Sequence, residues 1–149
     1  MSSQLKLQIE AEVKDAMRAR AKQRLGVLRL TMAELKRVEI DERIELDDDR
    51  VLVILDKMSK QRRDSLTQYE AAGRDDLAAQ ESFELTLLKE FMPEQLSSDE
   101  LKSLVDDAMK EVGASTIRDM GKVMGILKPK VQGRADMGEV GGLVKAALA

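Results

Sequence analysis

A chain of 149 residues, 36% charged and 43% apolar with a net charge of −3, holds enough material for one core or two and has the composition of amphipathic helices with charged outer faces. The absence of histidine and cysteine removes the commonest general base, the thiolate nucleophile, the usual zinc ligands and any disulfide. With no tryptophan, one tyrosine and two phenylalanines, there is no platform for stacking several unpaired bases.

The opening MSSQLKLQIEAEVKDAM breaks every apolar stretch with charge, unlike a signal peptide, and no later run approaches the length of a bilayer span. The expectation is a cytoplasmic protein without a membrane partner.

Leu5, Ile9, Val13 and Met17 recur at four-residue steps and predict a first helix from about Ser3 to Ala21. Leu25, Leu28, Met32, Leu35 and Val38 predict a second, reaching about Glu45, with Val27, Leu30 and Ile40 widening its buried face so that it sits between neighbours. Asp47, Asp48 and Asp49 offer an acidic start to a third helix, which Val51, Ile54, Leu55, Met58, Leu66 and Tyr69 carry to a capping Gly73. Arg74, Asp75 and Asp76 open a fourth, whose apolar face runs through Leu77, Phe83, Leu87, Leu88 and Phe91 until Pro93 ends it.

Beyond Pro93 the texture changes. Ser97 and Glu100 read as a capping box ahead of Leu101, Leu104, Val105, Ala108 and Met109, a fifth helix stopping at Gly113. Glycines then punctuate two short helices, about Ile117 to Lys130 and Gly138 to Leu148. The predicted fold class is all-α: residues 1–93 as an N-terminal bundle of about four helices, and residues 94–149 as a smaller C-terminal module of about three.

The most informative segment is MGKVMGILKPKVQGRA, Met120 to Ala135, which holds Lys122, Lys128, Lys130 and Arg134 and no acid. Four cations, glycines that allow close backbone approach and a proline-broken helix end suit a phosphate backbone. The same residues also fit a solvated face with glycines packed between helices. Two further basic runs, Arg18, Arg20, Lys22 and Arg24, and Lys57, Lys60, Arg62 and Arg63, have acids close by and read first as salt-laced helix faces. Nine methionines fit core filling, since Met32, Met58 and Met109 lie on apolar stripes. The chain has no GxxxxGK[ST] pattern, and its carboxylates sit among lysines on charged faces, so no catalytic constellation, cofactor or metal site is predicted.

LRLTMAELKRVEIDER (Leu28 to Arg43), KQRRDSLTQYEAAGRDDLA (Lys60 to Ala78), FMPEQLS (Phe91 to Ser97) and MGKVMGILKPKVQGRAD (Met120 to Asp136) together resemble the YqeY family, in order and spacing, across essentially the whole chain. The resemblance implies that the C-terminal module is similar to the tail domain of the B subunit of the tRNA-dependent amidotransferase, a domain also appended to some glutaminyl-tRNA synthetases. It implies a tRNA-binding accessory protein whose RNA-facing residues are Lys122, Gly125, Lys128, Lys130, Gly133 and Arg134, with an amidotransferase or an aminoacyl-tRNA synthetase as companion. Two alternatives stand beside it: a component of a carbon–nitrogen ligase with glutamine as amido-N-donor, and a helical adaptor between proteins. The sequence departs from the family pattern at Gly141-Gly142, a doublet expected to fray the last helix.

Overall fold

The computed structural model describes residues 3–149, which form seven α-helices and one 3-10 turn and, among the described residues, no strand. They gather in two compact units, the first ending at Met92 and the second running from Pro93 to Ala149, each with its own apolar core.

The first unit contains α1 (Gln4–Arg18), α2 (Lys22–Glu42), α3 (Asp48–Ala71) and α4 (Asp75–Lys89). Ser3 caps α1 by accepting the Lys6 N–H at 3.0 Å, and its hydroxyl donates to Asp48, whose carboxylate also accepts the Leu5 N–H at 3.0 Å. These bonds, the Ser3 hydroxyl first, hold the Asp48 carboxyl below the usual carboxylate range and tie the starts of α1 and α3 together. Asp47 caps α3 from the Arg50 N–H at 2.8 Å. Ion pairs Lys6–Glu39 at 2.7 Å and Arg24–Glu12 at 3.0 Å fix α1 and α2 as antiparallel neighbours. Gly73, at φ +69°, turns the chain between α3 and α4, which also run antiparallel, as the Arg62–Glu84 pair shows. Ile9, Leu28, Leu35, Leu46, Val51, Leu55 and Leu88 form the fully enclosed centre.

Three expectations are corrected here. Leu30 and Ile40 do not widen the buried face of α2; they are 59% and 64% exposed, because the helices packed on α2 all meet its Val27, Leu28, Leu35 and Val38 side. Met17 is 52% exposed as well. Four-residue steps drift by about 40° each around a 3.6-residue helix, so a stripe that starts inward at Leu5 has left the core three steps later. Helix α4 ends at Lys89 rather than at Pro93, and Phe91 reaches the core from the turn that follows.

The second unit contains α5 (Ser98–Val112), a 3-10 turn (Ile117–Asp119), α6 (Met120–Val131) and α7 (Met137–Leu148). The capping box is formed, with Glu100 N–H to Ser97 Oγ at 3.1 Å and Ser97 N–H to Glu100 Oε1 at 3.2 Å. Helix α6 starts three residues later than its apolar spacing predicts, after the Ile117–Asp119 turn. Asp119 accepts the Ser115 and Thr116 N–H groups at 2.9 and 3.2 Å, which winds those residues tightly. The doublet at Gly141 and Gly142 leaves α7 a continuous helix, because Val140, Val144 and Leu148 are buried against Leu101, Val105, Val123, Leu127 and Val131.

Candidate nucleic-acid interface

Helix α6 turns Val123, Leu127 and Val131 into the core and therefore presents Gly121, Lys122, Gly125, Lys128 and Lys130 to solvent. Lys122 and Lys128 stand on either side of a bare strip formed by Gly121 and Gly125, separated by about 120° around the helix and about 9 Å along it. A Cβ built on Gly121 or Gly125 would meet nothing within 4 Å, so neither glycine serves packing inside the chain. Pro129, inside the last turn, has no N–H to give the Gly125 carbonyl, so that oxygen lacks its usual helical donor.

The charge around this strip is one-sided. The ion pairs of the described residues gather in the first unit, for example Lys6–Glu39, Arg24–Glu90, Arg37–Asp41 and Arg62–Glu84. Among the described residues, no carboxylate lies within ion-pairing distance of Lys122, Lys128 or Lys130. Asp119 and Asp136, the acids flanking the segment, are turned onto backbone N–H groups, Asp119 onto Ser115 and Thr116 and Asp136 onto Gly138. Those backbone bonds, ahead of the charge of Lys122, hold the Asp119 carboxyl below its usual range.

Gly133 and Arg134 sit differently. Gly133 is buried at φ +76°, and its carbonyl accepts from Gln95 Nε2 at 2.9 Å. Arg134 donates from Nε to the Glu94 carbonyl at 3.1 Å, while its own carbonyl accepts the Leu96 N–H at 2.8 Å. These three bonds clasp residues 94–96 to the turn between α6 and α7, so the pair positions the unit's entry segment. Gly133→Ala, which forces a side chain into a left-handed conformation in a buried turn, is expected to cost about 1–2 kcal/mol, read from thermal unfolding.

Single arginines of the other basic runs are drawn into structure, while Lys57 and Lys60 stay exposed. Arg24 bridges Glu12 and Glu90 at 3.0 and 2.7 Å, and Arg20 occupies a left-handed turn at φ 55°. Arg62 points away from Lys57 and Lys60 toward Glu84 at 2.9 Å and Glu81 at 3.3 Å. The Arg62–Glu81 contact is too poorly aligned to hydrogen-bond, and burial pushes the Glu81 carboxyl up. A carboxyl raised in the folded state favours folding at low pH and gives that contribution up as pH rises through its titration. At pH 7, Glu81→Gln is therefore expected to fall within about 0.5 kcal/mol of the parent or above it. Glu84→Ala, which removes the hydrogen-bonded partner of Arg62, should cost about 2 kcal/mol in denaturant titration.

Among the described residues, no group of three or more His, Cys, Asp or Glu side chains is placed to hold a metal ion, and no helix is long and apolar enough to cross a membrane. The class defined is thus an all-helical protein of two units whose smaller one displays an unpaired cationic helix. The chain belongs to the YqeY family: the family described as Yqey-like protein matches residues 6–148.

Among curated relatives, altered inheritance of mitochondria protein 41, mitochondrial, of Pyrenophora tritici-repentis is 26% identical over 129 residues, covering 85% of this chain and 71% of the relative. An uncharacterized protein of Schizosaccharomyces pombe is 29% identical over 90 residues, covering 60% and 73%. The protein of Saccharomyces cerevisiae with the same mitochondrial name is 27% identical over 124 residues, covering 78% and 66%. The chain spans about two thirds to three quarters of the length of these relatives. The mitochondrial names overturn the cytoplasmic expectation. That expectation rested on the absence of cysteine, of a secretory signal pattern and of a bilayer-length apolar run, none of which separates one reducing compartment from another.

Proposed function

We propose that the protein is a tRNA-binding accessory factor that grips the sugar–phosphate backbone with α6 and leaves chemistry to a companion such as an amidotransferase or an aminoacyl-tRNA synthetase. The observation that carries this reading is that Lys122 and Lys128, exposed and outside any ion pair among the described residues, flank the bare Gly121–Gly125 strip, with Lys130 a further exposed cation around the helix. Cations gathered on one helix with no acid in the segment between them suit an external polyanion. The Gly125 carbonyl, without its helical N–H donor, adds an acceptor on the same helix, suited to a ribose 2′-hydroxyl and so to RNA over DNA. The few aromatic side chains favour the shape and backbone of a folded RNA over unpaired bases.

The test is mobility-shift titration of total tRNA across a salt series, with a DNA hairpin as competitor. Binding that weakens as salt rises and that the DNA displaces poorly is the expected result. Retention that is absent at low salt, or equal for DNA, would overturn the proposal.

A further inference from the structure

Helix α2 carries a second pattern that packing inside its unit leaves unused. Gly26, Leu30, Ala33, Arg37 and Ile40 follow at alternating steps of four and three, the spacing of a coiled-coil seam. They form one strip facing away from the core. Leu30 and Ile40 are well over half exposed, Ala33 is exposed, and a Cβ on Gly26 would meet nothing within 4 Å. Since Val27, Leu28, Leu35 and Val38 face the core, α2 is apolar on two sides and only one of them has a partner among the described residues.

The charges beside the seam say what the partner is. With Gly26, Ala33 and Ile40 at d and Leu30 and Arg37 at a, the basic Arg29 and Lys36 fall at g, and the acidic Glu34 and Asp41 fall at e. In a parallel pair, g of one helix meets the next e of the other, so Arg29 faces Glu34 and Lys36 faces Asp41 of the second copy, each contact occurring twice by symmetry. An antiparallel pair would oppose g to g and e to e, like charge to like. Arg37 is already bonded to Glu34 at 2.6 Å and Asp41 at 2.9 Å in its own helix, so its charge reaches the seam compensated.

We propose that α2 pairs in parallel with α2 of a second copy of this chain across a two-fold axis. Five seam positions span about 21 Å, and two of them are glycine and alanine, which puts the contact in the weak, concentration-dependent class.

Sedimentation of the full chain at rising concentration and low salt should show a reversible monomer–dimer equilibrium. The dimer should be lost in Leu30→Asp with Ile40→Asp, whose exposed positions leave helicity unchanged. Because the chain has no cysteine, Ala33→Cys gives a single reporter at a d position, and oxidation should yield a disulfide-linked dimer. The charge logic is checked in an Arg37→Leu background, which removes the seam charge that Glu34 and Asp41 otherwise compensate, by mixing Arg29→Glu/Lys36→Glu chains with Glu34→Lys/Asp41→Lys chains: each alone should be monomeric and the mixture dimeric. A parent chain that stays monomeric at every concentration overturns the proposal and hands the face to a helix of another protein. A dimer that survives the double aspartate variant, or that fails to cross-link through Cys at position 33, overturns it too.

Discussion

Reversing Lys122, Lys128 and Lys130 to glutamate is expected to reduce tRNA affinity by at least about 100-fold at moderate salt and to flatten the salt dependence. Each phosphate that the protein no longer neutralises takes about 0.7–0.9 off the slope of log K against log salt, so three of them lower it by about 2–3. The effect exceeds that of neutral substitutions because the reversed charges repel the backbone. Helicity should not change, since all three side chains are exposed and none pairs with a carboxylate among the described residues. Reversing Lys57 and Lys60 on α3 together with Lys14 on α1, equally exposed, serves as the charge-matched control and should leave affinity near the parent value. If the two sets weaken binding equally, attraction is diffuse and α6 is no site.

The contrast between α6 and the clasp at Gly133 and Arg134 marks how far the sequence could be read. Apolar spacing located the seven helices to within a few residues, because burial against a core is what the spacing encodes. The capping box at Ser97 and the glycine at position 113 were legible for the same reason, since both act within one turn of chain. Which cations are displayed was not legible. Arg62 and Lys60 look alike in a basic run, but one is turned inward by Glu81 and Glu84, more than a dozen residues away in sequence. Arg134 likewise lies in the same acid-free segment as Lys128, yet it is engaged by Glu94, on a segment forty residues earlier. Leu30 and Ile40 failed in the opposite sense. Spacing shows that a face is apolar and says nothing about whether the chain itself supplies the surface that covers it.

Leu127→Ala is expected to cost about 3–4 kcal/mol, the consequence of opening a cavity at a fully enclosed leucine. The smaller unit has little to set against it, because a core of this size rarely contributes more than about 3–5 kcal/mol of net stability. Leu127 belongs to the second core, which comprises residues of α5, α6 and α7, whereas Leu88 belongs to the first. Hydrogen exchange should therefore show protection lost across residues 93–149 and kept in α1 to α4, with Leu88→Ala giving the reverse. Loss of protection everywhere in Leu127→Ala would mean that the two cores fold as one. Binding supplies the functional arm of the same experiment. The lysines of α6 remain in the variant, but the helix that spaces Lys122 and Lys128 across the Gly121–Gly125 strip does not, so tRNA affinity should fall although the net charge is unchanged. Affinity that persists in the unfolded unit would mean that charge alone attracts the RNA and that the geometry of α6 contributes nothing.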